Sequence, residues 1–331
     1  MKNPEDIIIS FYKDKEIRGT MYDFSREIKA IYTLPKLGEN ILLSSIPEKC
    51  SKEYKNINFL NTNIYSEFVF SRNPYYTDQK DASFFNIQKA KNPVNLDQII
   101  SNFNCGNGNS LQQFCRALGL NVDIKPKGNL YIPQKNKKHN TIGLHLDCIS
   151  GKSILDKYTR NLYKENLQIL QQFINNNSHK YQFIQFGQSL GKDEINNKIG
   201  LLNNVEDYLD KTLAETAEKI AECEYFICVN SAFYHLSISL DIKTICIISL
   251  PSIYDCYLPI LVNEMLLCKP PFLRWEKNCL YPQAVHLHQD GENHLVKKFS
   301  IINLEKAING EVYPFWNDKY LNLINDFKLT N

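Results

Sequence analysis

AECEYFICVNSAFYHLSISLDIKTICIISLP, running from Ala221 to Pro251, decides the fold class. Tyr225 to Val229 is a short apolar run rich in aromatic and β-branched side chains, as suits a strand buried inside a parallel sheet. It stops at Asn230-Ser231-Ala232. From Phe233 the apolar Leu236, Ile238 and Leu240 share a helical stretch with small Ser237 and Ser239, and after Asp241 the run Thr244 to Ile248 reads as a second buried strand. Strand, polar loop, helix and parallel strand make a βαβ unit. In such a unit the loop after the first strand sets free backbone amides at a helix N-terminus, where the macrodipole favours a phosphate or another anion. Asn230 and Ser231 are therefore candidates to hold a phosphorylated ligand. They are equally the residue types preferred for capping a helix that binds nothing.

Working outward, 331 residues are more than one ordinary core accommodates, so two domains of about 150 residues each are expected. A hydrophobic share of 43% and a charged share of 22% describe a soluble globular protein. A net charge of +2 gives no electrostatic case for nucleic acid as a partner. The N-terminal MKNPEDIIISFYKDKE lacks the apolar core of a signal peptide, and no run of 18 or more apolar residues occurs, so the expected location is the cytoplasm. The basic stretch Lys135 to His139 reads as a solvated interdomain loop, with a weak peripheral contact to anionic lipid at the inner face of the membrane left open. The ten cysteines are scattered, several inside apolar runs (Cys223, Cys228, Cys246), and read as reduced core residues. Cys256, Cys268 and Cys279, with His286, His288 and His294 nearby, lack the close spacing of a structural zinc site, so no metal is expected.

In the first half, Ala30 to Leu34 reads as a strand after about 29 residues of unassigned role. The loop Pro35 to Asn40 follows, then apolar residues at helical spacing from Ile41 to Cys50, and a strand at Ile57 to Leu60. Asn73-Pro74 and Asn92-Pro93 mark turns. Leu111 to Leu118 is helical and ends at Gly119. Lys125 to Asn140, lysine-rich and punctuated by Pro126, Gly128 and Pro133, fits a linker. The second half then opens with a strand at Thr141 to Leu146. It continues with a helix near Lys164 to Ile174, a strand at Tyr181 to Phe186, a weaker strand near Ile199 to Leu202 and a helix at Leu213 to Cys223. The polar, aromatic segments Asn278 to Gln283 and His286 to Gly291 read as a packed connection or as a lining of the ligand cleft. The whole is α/β, two Rossmann-like domains facing across a cleft.

In this order the motifs resemble those of glycosyltransferase family 9, the ADP-heptose:lipopolysaccharide heptosyltransferases and their relatives, which have the GT-B fold. Leu37 to Pro47, with Tyr54 and Ile57 to Leu60, is similar to the family's opening glycine-acid loop, helix and second strand. Asn73-Pro74-Tyr75 is similar to its Asn-Pro turn, and Gly143-Leu144-His145, with Arg160 and Leu162 downstream, to the start of its donor domain. Asn230-Ser231-Ala232-Phe233-Tyr234-His235-Leu236 stands where the family has Asp-Ser/Thr-Gly-x-x-His-Leu. The likeness covers roughly residues 30 to 250.

The resemblance implies metal-independent transfer of a heptose or related sugar, with no cofactor, from a nucleotide diphosphate such as ADP-heptose to a glycan, lipid-linked or protein acceptor. It implies an acceptor-side domain at 1–138 and a nucleotide-sugar-binding domain at 139–310; from the residues themselves, Pro314-Phe315-Trp316 and the amphipathic stretch Tyr320 to Phe327 read as a C-terminal helical segment, 311–331, packing back on the domains. Gly38 would belong to the acceptor-side loop and Glu39, in place of the usual Asp, would be the general base. Arg160, Asn230, Ser231, Ala232 and His235 would hold the donor. Fixed amides and a cation stabilise the charge that develops on a departing diphosphate, and arginine contacts phosphate bidentately. Each has a plainer reading: Glu39 as a helix-start acid, Arg160 as a surface residue, His235 as a structural histidine.

Asn230 and Ala232 replace the signature's aspartate and glycine, which removes a charge and some backbone room. A noncatalytic sugar-binding or assembly subunit of the same fold is the alternative that these losses suggest. A nicotinamide dehydrogenase fits less well, because Gly106-Asn107-Gly108 follows a polar stretch and lacks the third glycine. No G-x-S-x-G of a serine hydrolase occurs.

Overall fold

The computed structural model describes residues 7–11, 30–33, 37–53, 57–60, 64–75, 93–95, 111, 115, 120, 121, 123, 126–133, 135–148, 162–189, 199–248, 281, 283–289 and 297–312. The chain divides into two compact units, Met1–Tyr131 and Ile132–Asn331.

The first unit holds a parallel sheet of β1 (Ile7–Phe11), β2 (Ala30–Thr33), β3 (Ile57–Leu60) and β4 (Pro93–Asn95), in the order β3-β1-β2-β4. β1 lies within the opening stretch left unassigned by the sequence reading, and its run of three isoleucines is what makes it a strand. The helical residues after β2 begin earlier than expected. Helix α1 spans Leu37–Leu43, which puts Gly38 and Glu39 in its first turn instead of in a loop. A second helix, α2 (Ile46–Lys52), starts anew because Pro47 has no amide with which to continue the ladder of α1. Ser44 fills the break, its Oγ donating to Ile41 O at 2.6 Å and accepting from Asn129 N–H at 2.7 Å. Helix α3 (Ile64–Phe70) runs into the Asn-Pro turn. There buried Asn73 donates to Ser44 O and accepts from Tyr75 N–H, so the expected turn is an Asx turn tied to the α1–α2 break.

The expected linker has two halves with different attachments. Asn129 and Tyr131 bond Glu48 of α2, whereas Lys135 pairs with Glu218 and Lys138 with Glu222. The units therefore divide at Tyr131 and Ile132, and the basic stretch is engaged within the second unit.

The second unit is built on seven parallel strands: β5 (Thr141–His145), β6 (Gln182–Gly187), β7 (Glu206–Leu209), β8 (Tyr225–Val229), β9 (Lys243–Ile248), β10 (Val285–His288) and β11 (Lys297–Lys298). Their order is β11-β10-β9-β8-β5-β6-β7. The chain builds outward from β5 to β7, then crosses to the other side of β5 and builds outward again. The reversal between β5 and β8 is the topological switch point of a Rossmann-like sheet. Helices α4 (Lys164–Asn177), α5 (Leu213–Ala221), α6 (Ala232–Ser239) and α7 (Ile301–Ile308) complete the unit. A core of Ile142, Leu144, Leu170, Phe173, Ile227, Val229, Ile247 and Leu287 joins the sheet to α4 and α7. At Gly143 an added Cβ would lie 2.6 Å from Phe226 Cδ2 and 3.0 Å from Phe186 Cε2, so only glycine fits under those rings.

Two further expectations need correction. Ile199 to Leu202 is not a strand; its backbone is bonded by the side chain of Gln185, which donates to Gly200 O at 3.0 Å and accepts from Leu202 N–H at 2.9 Å. The strand there is β7. His286 and His288 lie on β10, a buried strand of the main sheet, and not in a connection. Helix α7, for which no expectation was formed, begins at Ser300, whose hydroxyl accepts from Asn303 N–H at 3.2 Å. The expected C-terminal helix at Tyr320 to Phe327, and Cys256, Cys268, Cys279 and His294, lie outside the described residues. Among the described residues no group of three or more His, Cys, Asp or Glu side chains stands together as a metal ion would need. No described helix is long and apolar enough to cross a membrane.

Candidate functional site

In parallel α/β sheets, ligands gather beyond the carboxyl ends of the strands at the switch point. In the second unit that edge is formed by the end of β5, which carries His145 and Asp147, and by the end of β8, which carries Asn230 and Ser231. Gly187, at the end of β6, closes the third side. Its φ is +134°, a value that side chains rarely tolerate, and a Cβ there would lie 3.6 Å from His145 Cδ2 and 3.7 Å from Asp147 Oδ1.

Ser231 is the N-cap of α6. It is extended (φ −144°, ψ −180°), and its Oγ accepts from Phe233 N–H at 3.3 Å. Tyr234 N–H bonds Ser231 O at 3.1 Å. The amides of Ser231 and Ala232, at the very start of the helix, have no acceptor among the described residues, as expected where no preceding turn supplies carbonyls. Beside them Asn230 is 3% exposed, and its Nδ2 has no hydrogen-bond partner among the described residues. A buried amide donor left unpaired is costly and rare in folded proteins.

His145 supports this turn from the neighbouring strand. Its Nδ1 lies 3.1 Å from Ser231 Oγ, its ring stacks on Phe233 with centroids 3.9 Å apart and planes 4° from parallel, and its Nε2 lies 3.6 Å from Asp147 Oδ1. Burial pushes the pKa of His145 down to about 3, so the imidazole is neutral.

The far end of α6 is fixed as firmly. Asp241 takes a positive φ of 55°, and Ile242 N–H reaches back to Ser237 O at 3.0 Å, closing the helix in a left-handed cap. Tyr234 to Ser239 are all buried. Ser237 and Ser239 return their hydroxyls to Tyr234 O and His235 O, and Thr244 of β9 donates to Ser237 Oγ at 2.9 Å. His235 Nδ1 lies 2.8 Å from Tyr281 Oη, and Tyr234 Oη accepts from Tyr281 N–H at 2.7 Å while meeting His286 Nε2 at 2.9 Å.

The sequence-derived site residues thus fall into three groups. Asn230, Ser231, Ala232 and His235 stand together at α6. Gly38 and Glu39 lie in the first turn of α1, in the other unit, and the Glu39 side chain is outside what is described. Arg160 lies outside the described residues. His145 belongs to the motif Gly143-Leu144-His145, and Asp147 lies just beyond it. Their signal was position: polar side chains immediately after a buried strand at a switch point.

This is a Rossmann-like α/β architecture of the GT-B class. No protein-family model matches the chain, and no curated protein does. Among solved structures, the glycosyltransferase family 9 protein from Veillonella parvula matches with a TM-score of 0.53 at 11% identity, covering 94% of this chain and 98% of that one. The iron-containing dodecameric glycosyltransferase TibC from enterotoxigenic E. coli matches with a TM-score of 0.49 at 12% identity, over 88% of this chain and 63% of that one. The E. coli heptosyltransferase WaaC with ADP gives 0.49 and 9%, over 93% and 99%. The chain thus spans less than two thirds of the length of TibC. At 11% identity the likeness to the Veillonella protein is one of fold, and the fold expected from the resemblance is the one found.

Proposed function

We propose that the protein is a glycosyltransferase that takes a sugar from a nucleotide diphosphate bound at the start of α6. The observation that carries this reading is the turn Asn230 to Ala232: two main-chain amides and a buried side-chain amide that have no acceptor among the described residues, at the switch point of a sheet with the family 9 fold. Such donors match a diphosphate, and they count most in the transition state, when the leaving group gains charge. Arg160 supplies the cation. Glu39, from the first turn after β2, takes the proton of the acceptor hydroxyl, and Gly38 lets the acceptor come close.

The donor is ADP-heptose or a related nucleotide sugar, the transfer needs no metal, and the acceptor is a cell-surface glycan, a lipid-linked saccharide or a protein. The first unit binds the acceptor and the second the donor, and the protein works in the cytoplasm, at the inner face of the membrane where the acceptor is lipid-linked. Release of nucleoside diphosphate from a panel of nucleotide sugars, followed with EDTA present, tests the reading. The expected result is release with one donor, lowered at least about a hundredfold in Glu39→Ala, the scale of general-base catalysis.

A second reading rests on Asn230 and Ala232, which stand where the family signature has an acid and a glycine. In it the protein binds a nucleotide sugar or glycan without turning it over. Binding without release, unaffected by Glu39→Ala, would favour it.

A further inference from the structure

The serine of the turn has one hydroxyl proton, and where that proton points decides how the turn meets a ligand. His145 is neutral, so it too has a single ring proton to place. The two ring nitrogens face different partners: Nδ1 faces Ser231 Oγ at 3.1 Å, and Nε2 faces the carboxylate of Asp147 at 3.6 Å. The latter distance is too long for a direct hydrogen bond. A carboxylate there still favours the tautomer that carries the proton on Nε2, and the choice at one nitrogen dictates the role of the other. Nδ1 is then an acceptor, and the Ser231 hydroxyl donates to it. The remaining capacity of Oγ takes Phe233 N–H.

We propose that His145 and Asp147 are positioning residues for the anion-binding turn: together they turn the Ser231 proton away from the ligand, so that the turn offers a diphosphate its main-chain amides and the Asn230 amide and no hydroxyl. The stacking of His145 on Phe233 fixes the second residue of α6 in the same arrangement. Gly187 borders this pair, and its φ of +134°, not a lack of room, is what calls for glycine there. The inference rests on the donor reading above for the identity of the ligand; the proton arrangement itself does not.

Two measurements on the full chain test it. Long-range proton–nitrogen correlation spectra of the histidine rings in wild type should show His145 as the Nε2–H tautomer, unchanged down to pH 5. A Nδ1–H tautomer, or a protonated ring at pH 6, overturns the proposal whatever the ligand. Calorimetric titration with ADP and with pyrophosphate should give a dissociation constant about tenfold weaker in His145→Phe, which keeps the stacking and loses the acceptor. His145→Asn, whose Oδ1 can accept in place of Nδ1, should recover most of that loss. Equal binding by wild type and His145→Phe also overturns the proposal. If neither probe binds wild type, the donor reading fails, and the ring tautomer alone decides whether His145 holds the Ser231 proton.

Discussion

At the residue scale, the binding role proposed for Asn230 makes different demands from a packing role. A buried amide whose Nδ2 has no partner among the described residues lowers stability. Asn230→Ala should therefore change the unfolding free energy little, or raise it by up to about 1 kcal/mol, while weakening pyrophosphate binding several-fold. Parallel denaturation and titration of the two proteins checks this, and a large loss of stability with unchanged binding would contradict it. Gly143 is the opposite case, a residue with no bearing on a ligand and a strict packing demand. Gly143→Ala would force a methyl against the rings of Phe226 and Phe186 and should cost about 1–3 kcal/mol in a denaturant titration. The buried histidines give a pH signature. His145 and His286 are both held down to about 3, from an ordinary 6.5, by burial. Below about pH 6.5 the unfolded chain takes up protons that the folded chain refuses, so stability is complete above that pH and falls on the way to about pH 3. The slope should be on the order of 1 kcal/mol per pH unit for each histidine. Glu48, Glu215, Glu222 and Glu224, all with lowered pKa values, act in the same direction, but mainly below about pH 5, where the unfolded carboxylates take up protons. Equal denaturation midpoints at pH 7.5 and 5.5 would contradict the assignment.

Elements were legible where local chemistry and burial agreed. β8, α6 and β9 follow from two apolar runs around a polar loop, and helix α5 from the periodicity after Leu213. That helix begins with a capping box in which Thr212 Oγ1 accepts from Glu215 N–H and the Glu215 carboxylate accepts from Thr212 N–H. Thr212→Ala should cost about 1 kcal/mol, read as a lower melting temperature without a change in nucleotide binding. The misreadings have physical reasons. Val285 to His288 carries two histidines in four residues and resembles a polar connection, yet those histidines are buried, and His286 meets the Tyr234 hydroxyl. Ile199 to Leu202 has the apolar content of a strand, but the side chain of Gln185 occupies the place of a neighbouring strand. Helical spacing from Ile41 to Cys50 is real across a break, because Ser44 and Pro47 end one helix and start another on the same buried side. The turn Asn230 to Ala232 was legible as a turn. The contribution of His145 and Asp147 was not, since they lie about 85 residues from Ser231 in the chain and meet it only through strand pairing.

For the whole molecule, the pattern of two α/β halves was enough to predict the fold, and the match to the Veillonella family 9 structure has that fold. The residues proposed for catalysis fall in both units, Glu39 and Gly38 in the first and the Asn230 turn in the second. Its central claim is that the second unit's switch point binds the diphosphate of a nucleotide sugar. The most direct test is thermal unfolding of the full chain against a panel of nucleotide sugars, ADP-heptose included, with Asn230→Ala alongside. One donor at a hundred times its dissociation constant should stabilise wild type by about 2.7 kcal/mol, and Asn230→Ala clearly less at the same concentration. No stabilisation of wild type by any of them, or equal stabilisation of both proteins, would contradict the account.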